Sequence, residues 1–182
     1  MDTKNRDAAN VLFVCSGGAG LALMAETLAL QISEGRATIA CAGAEGGRPH
    51  PLASDVMAEV GINISKRQMP AFGELSQTDV DVAVIVGDRP PNSCLLLPGT
   101  PELVIWGLPD PLKTKQPTIE SFRAIRDEIK RLVKDLFDRG YLTALSHAKR
   151  SADLALNHIS EGIIAHDLDR RIFYFNRAAE EM

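Results

Sequence analysis

Four short apolar, β-branched runs punctuate the first part of the chain: NVLFVC (10–15), ATIACAG (37–43), VDVAVIVG (80–87) and ELVIW (102–106). Their apolarity is continuous rather than alternating, as expected of strands covered on both faces in a parallel sheet. Between them the period lengthens. Residues 21–32 predict a helix, and HPLASDVMAEVG (50–61) predicts another that stops at Gly61, a residue suited to a left-handed helix end. Region 66–78 predicts a loop with one helical turn. At 118–139 the pattern is plainest: Ile119, Phe122, Ile125, Ile129, Leu132, Val133, Leu136 and Phe137 recur at three- and four-residue steps, opposite a charged face. Strands alternating with helices imply right-handed crossovers and a doubly wound α/β fold.

The character changes after Gly140. YLTALSHAKRSADLALNHI predicts a further amphipathic helix, with Leu142, Leu145, Leu154 and Ile159 available for packing. EGIIAHDLDRRIFYFNRAAEEM then predicts two short strands around a polar HDLDRR turn, followed by the start of a helix. A hairpin with a helix stub cannot bury a core alone, so the chain reads as stopping inside a second domain.

Composition narrows the function classes. The 182 residues are 45% hydrophobic and 24% charged, ordinary for a soluble globular protein. A net charge of -4 gives no electrostatic case for nucleic-acid binding. No apolar run approaches the length of a membrane span, and MDTKNRDAAN lacks a signal-peptide core. Three irregularly spaced cysteines (Cys15, Cys41, Cys94) argue against a disulfide framework and for a reducing cytoplasm.

The candidate chemistry sits in VLFVCSGGAGLALMAETLA (11–29). Cys15 ends the first strand, where ligands of open α/β sheets bind. Ser16, Gly17, Gly18, Ala19 and Gly20 follow, then Leu21 and Ala22 open the helix. Backbone N–H groups of such a loop can form a nest for an anion, with the helix N-terminus adding partial positive charge and favouring a thiolate.

In this arrangement residues 9–140 resemble the low-molecular-weight protein tyrosine phosphatases and thioredoxin-coupled arsenate reductases. The resemblance rests on the Cys15 loop with MAETL, on AGAEGGRPHPLASDVMAEVGINIS (42–65) and on WGLPDP (106–111). It implies a four-stranded parallel sheet with helices on both faces. It also implies catalytic roles for Cys15 and, as general acid, Asp110, with residues 16–22 as the ligand-binding loop and no cofactor. Two departures bear on function. The family's loop arginine is Leu21 and the next hydroxyl residue is Ala22. A planar guanidinium holds an oxyanion bidentately and leucine cannot. Losing one partner of such a buried pair costs about 2–5 kcal/mol, on the order of thirtyfold to several-thousandfold in rate. The reductases' resolving cysteines are also incomplete: Val86 stands at the first position, and only Cys94 lies near the second.

The stretch from 151 resembles the opening of a PAS domain. Together the resemblances imply a phosphatase-like domain at 9–141, a linker helix at 142–150 and a truncated PAS unit at 151–182. The expected function is a catalytically impaired sensory module in a signalling or transcription-regulatory protein. It would bind a small anion or small-molecule effector at the Cys15 loop and act on downstream domains of the same protein. It would dimerise through the linker and PAS region, without membrane or direct nucleic-acid contact.

Two alternatives stay open. One is an active phosphatase or arsenate reductase using Cys15 and Asp110, with Arg48 or Arg89 replacing the loop arginine. The other is a thiol-based metal or arsenite sensor using Cys15, Cys41 and Cys94. His50 is expected to be a helix cap or a surface histidine rather than a ligand, and Trp106 to pack on the fourth strand or wall the site beside Asp110.

Overall fold

The computed structural model describes residues 8–17, 19–75, 80–88, 101–113, 116–138, 142, 164–166 and 172–175. Strands β1 (Ala9–Cys15), β2 (Ala37–Gly43), β3 (Val82–Ile85) and β4 (Glu102–Ile105) form one parallel sheet in the order β2-β1-β3-β4. All four occupy the expected runs. In register, Cys15 lies opposite Gly43 on β2, and Val14 opposite Ile85 on β3. The central strands are apolar, β3 throughout and β1 from Val11 on, because they are flanked on both sides.

Helices α1 (Leu21–Ser33), α2 (Pro51–Ala58) and α3 (Ile119–Asp138) pack on the sheet face that carries Val11, Phe13 and Cys15. Among the described residues the opposite face, with Leu12, Val14, Ala83 and Ile85, is covered by the turn at Phe72–Glu74. Helices were expected on both faces; those among the described residues lie on one. The turn itself is the single helical turn expected within 66–78. A correction concerns β4. Continuous apolarity suggested cover on both sides, yet Leu103 and Ile105 are 46% and 53% exposed. As the last strand in the sheet order, β4 pairs along one edge only.

The second helix was expected to reach Gly61, and its last turn explains the difference. Ile62 N–H donates to Met57 O and Gly61 N–H to Ala58 O, with Gly61 at φ 80°. This is a Schellman closure, in which the helix ends by turning its final amides back on itself. His50 caps the start of α2: Leu52 N–H donates to its Nδ1 at 3.2 Å, and its ring stacks on Phe122 of α3. Arg126 of α3 is buried and donates to Val56 O and to Glu59, tying the two helices together.

The expected hairpin is present as antiparallel strands β5 (Ile164–His166) and β6 (Ile172–Phe175). Leu142 is buried in the main core. Of the linker helix expected at 142–150 only Leu142 is described; its other residues and the remainder of the PAS-like segment lie outside the described residues.

Candidate functional site

Cys15 sits where β1 gives way to the loop, its thiol donating weakly to Gly17 O at 3.5 Å. Gly20, at φ 83°, turns the chain into α1. A side chain there would strike Pro49, since a Cβ would lie 2.7 Å from Pro49 Cβ. Asp110 reaches the loop from beyond β4. Leu112 N–H donates to its Oδ1 at 2.9 Å and fixes the carboxylate at the head of the turn Pro111–Lys113. Its Oδ2 rests against Gly17, at 2.7 Å from where a Cβ would be. The general-acid position expected from the resemblance is therefore directly over the cysteine loop.

These groups line a small cleft, about 10 Å³ in cavity volume and partly open to solvent. Its walls are Cys15, Ser16, Gly17, Ala19 and Leu21 from the loop, Val86, Gly87 and Asp88 after β3, and Leu108 and Asp110 after β4. The cleft opens at the carboxyl ends of the strands, as α/β architecture dictates. No arginine, lysine or histidine is among these described wall residues. At the exposed rim Lys113 pairs with Asp88, its Nζ 3.4 Å from Oδ2.

The electrostatics follow from that composition. Burial pushes the Cys15 thiol above its ordinary value. The backbone amides of Ala22 and Gly17 work in the opposite direction, and the Asp110 charge adds to the rise. At neutral pH the group is a thiol, and a second negative charge in the cleft would face Asp88 and Asp110.

Most expected site residues converge. Cys15, Ser16, Gly17, Ala19, Leu21 and Asp110 share the cleft, whereas Gly20 and Ala22 form none of its walls. Gly20 faces Pro49, and Ala22 is fully buried under the sheet. Arg48 is exposed and supplies no wall. Trp106 packs on Phe13, ring centroids 5.5 Å apart, rather than beside Asp110. Cys41 is buried on β2 and does not line the cleft, so the three thiols do not share it as expected. Gly18, Arg89 and Cys94 lie outside the described residues. Among the described residues no three histidine, cysteine or acidic side chains are grouped to hold a metal.

Asp88, Leu108 and Met69 were not anticipated. Asp88 had a signal, since polar residues just past an α/β strand face the ligand crevice. Met69 had none. It arrives because residues 69–71 fold back along the end of β2, with Met69 and Gly47 exchanging backbone hydrogen bonds and Gly43 N–H donating to Pro70 O.

A family model of the low molecular weight phosphotyrosine protein phosphatases matches residues 10–151. The chain belongs to this family.

Its relatives within the phosphatase-like family include arsenate reductases. A glutaredoxin arsenate reductase from Synechocystis sp. is 32% identical over 69% of this chain and 94% of its own. An arsenate reductase from Halalkalibacterium halodurans is 28% identical over 71% and 96%. The solved structure of an arsenate reductase in its reduced state superposes with a TM-score of 0.58 at 30% identity, covering 72% of this chain and 98% of that one. The family's fold, with its cysteine loop and opposing aspartate, is thus present here around a cleft whose described walls carry no cation. Among the described residues no helix is long and apolar enough to cross a membrane.

Proposed function

We propose that this family member uses the Cys15 cleft to hold a small ligand without turning over an oxyanion. In this reading it is a cytoplasmic receptor module, and residues beyond 141 pass its state to a PAS-like unit and to later domains of the same protein. One observation carries the reading: the described cleft walls offer two carboxylates and a neutral thiol where phosphoryl or arsenate chemistry requires a fixed cation. Leu21, at the position of the loop arginine, lines the cleft with an apolar side chain. A neutral or cationic ligand fits such walls better than phosphate.

A second reading is an active arsenate reductase or phosphatase using Cys15 as nucleophile and Asp110 as acid. It is favoured by the position of Asp110 over the loop and by the reductases among the relatives. Among the described walls only backbone amides could hold the transition-state charge, so this reading needs them, or an arginine such as Arg89 that lies outside the described residues, to do so.

Steady-state assays with p-nitrophenyl phosphate and with arsenate plus a thiol reductant separate the two. The receptor reading expects no turnover above the Cys15→Ser background. Turnover abolished by Cys15→Ser and by Asp110→Asn would replace it with the enzymatic reading.

A further inference from the structure

The Cys15 thiol has a second acceptor besides Gly17 O. The thioether sulfur of Met69, which is not among the cleft walls, lies 3.9 Å from Sγ in a buried contact. Met69 is fixed there from several directions. Its backbone exchanges hydrogen bonds with Gly47. Arg67, two residues earlier, pairs at 2.6 Å with Glu26, a buried carboxylate on α1. The Met69 methyl group fills the space where Gly43, the β2 partner of Cys15, lacks a side chain: a Cβ there would lie 2.5 Å from the methyl carbon.

We propose that Met69 is a positioning residue for Cys15, its thioether accepting the thiol hydrogen and so keeping the sulfur protonated. A thioether offers lone pairs and carries no hydrogen to donate. It can receive a bond from a thiol but can give none to a thiolate, and a hydrogen bond made only to the neutral form favours that form. Its apolar bulk also keeps water from the sulfur, which penalises the charged form again. The opposing donors are the backbone amides of Ala22 and Gly17. Among the charged groups around the thiol, Asp110 acts on it from beyond β4, and Asp88 lines the same cleft after β3. From β2 Cys41 interacts with it, its own thiol hydrogen-bonded to Glu26 of the Glu26–Arg67 pair. The inference deepens the receptor reading and rests on it, because a nucleophile must lose the hydrogen that Met69 holds.

The test pairs two measurements on the reduced full chain. One is the S–H stretching band of Cys15, isolated as the infrared difference between the unmodified protein and Cys15→Ser. The other is the pH profile of Cys15 alkylation, read by mass spectrometry of its peptide. The band is expected at a hydrogen-bonded frequency and should move in Met69→Leu, which keeps the apolar volume and removes the acceptor. Below the midpoint, alkylation should be about threefold faster in Met69→Leu, the loss of one weak hydrogen bond. It should be about tenfold faster or more in Met69→Gln, whose amide can donate to the thiolate. Gly43→Ala, which takes the seat of the Met69 methyl group, should act in the same direction as Met69→Leu. A free-thiol band in the unmodified chain would overturn the inference, as would a band or a midpoint that Met69→Leu leaves unmoved. A midpoint below about 7 in the unmodified chain would sink the receptor reading as well, whereas a high midpoint indifferent to Met69→Leu would sink this inference alone. The band of the unmodified chain needs no substitution at position 69, so a variant that disturbs folding cannot shield the proposal.

Discussion

The carboxylate of Asp110 lies against the backbone of Gly17, so close that a Cβ on Gly17 would be 2.7 Å from Oδ2. The loop is shaped to admit an acid, and that acid opposes ionisation of the thiol beneath it. Replacing Asp110 with Asn should remove this charge while keeping Leu112 N–H satisfied. Iodoacetamide alkylation of Cys15 at neutral pH should then become several-fold faster. An unchanged rate would show that the charge does not reach the sulfur.

Both described thiols are held above their ordinary values, chiefly by burial. An unfolded thiol titrates near about 8.5, so above that pH the unfolded chain loses protons that the folded chain keeps. Folding stability contributed by these groups is complete below that value and is lost as pH rises toward the folded values. Urea unfolding between pH 7.5 and 10 should show stability declining by up to about 1.4 kcal/mol per pH unit for each thiol. Cys41→Ser and Cys15→Ser should each make the decline shallower.

Arg126 is buried with a hydrogen bond to Val56 O and an ion pair to Glu59. Arg126→Met would keep the aliphatic packing and strand the Val56 carbonyl beneath α3. The expected cost is about 1–3 kcal/mol of unfolding free energy by urea titration, with the α/β circular-dichroism spectrum retained. Stability equal to the parent would mean water replaces the guanidinium.

Leu21 and Ala22 are almost fully buried, so restoring chemistry there is also a test of space. In Leu21→Arg/Ala22→Ser, the guanidinium would enter a cleft that already contains Cys15 and Asp110. Hydrolysis of p-nitrophenyl phosphate should rise from background by thirtyfold or more, the lower end of about 2 kcal/mol of restored oxyanion stabilisation. Activity that stays at background would show that the walls have been reshaped for a different ligand.

How much of this was legible before the structure depends on the range of each interaction. The strands and helices were visible because each pattern is local: the unbroken VLFV run of β1 and the three-to-four spacing from Ile119 to Phe137 need no distant partner to be read. The Cys15 loop and Asp110 were legible through a family resemblance that spans several segments. What escaped was set by long-range closure. Met69 reaches Cys15 only because Gly47 and Gly43 anchor the 69–71 segment along β2. Trp106 could have faced either way until Phe13 settled its side. The exposure of Leu103 and Ile105 followed from the sheet order, which strand patterns alone do not fix.

The central claim is that the sulfur of Cys15 is a neutral thiol in a cleft walled by carboxylates. The pH profile of its alkylation by iodoacetamide, followed by mass spectrometry of the Cys15 peptide, tests this directly. The account predicts a midpoint above about 8.5, the ordinary thiol value, and no protection by phosphate or arsenate. A midpoint below about 7 with protection by either anion would contradict it, because a cation would then have to be holding charge at that sulfur.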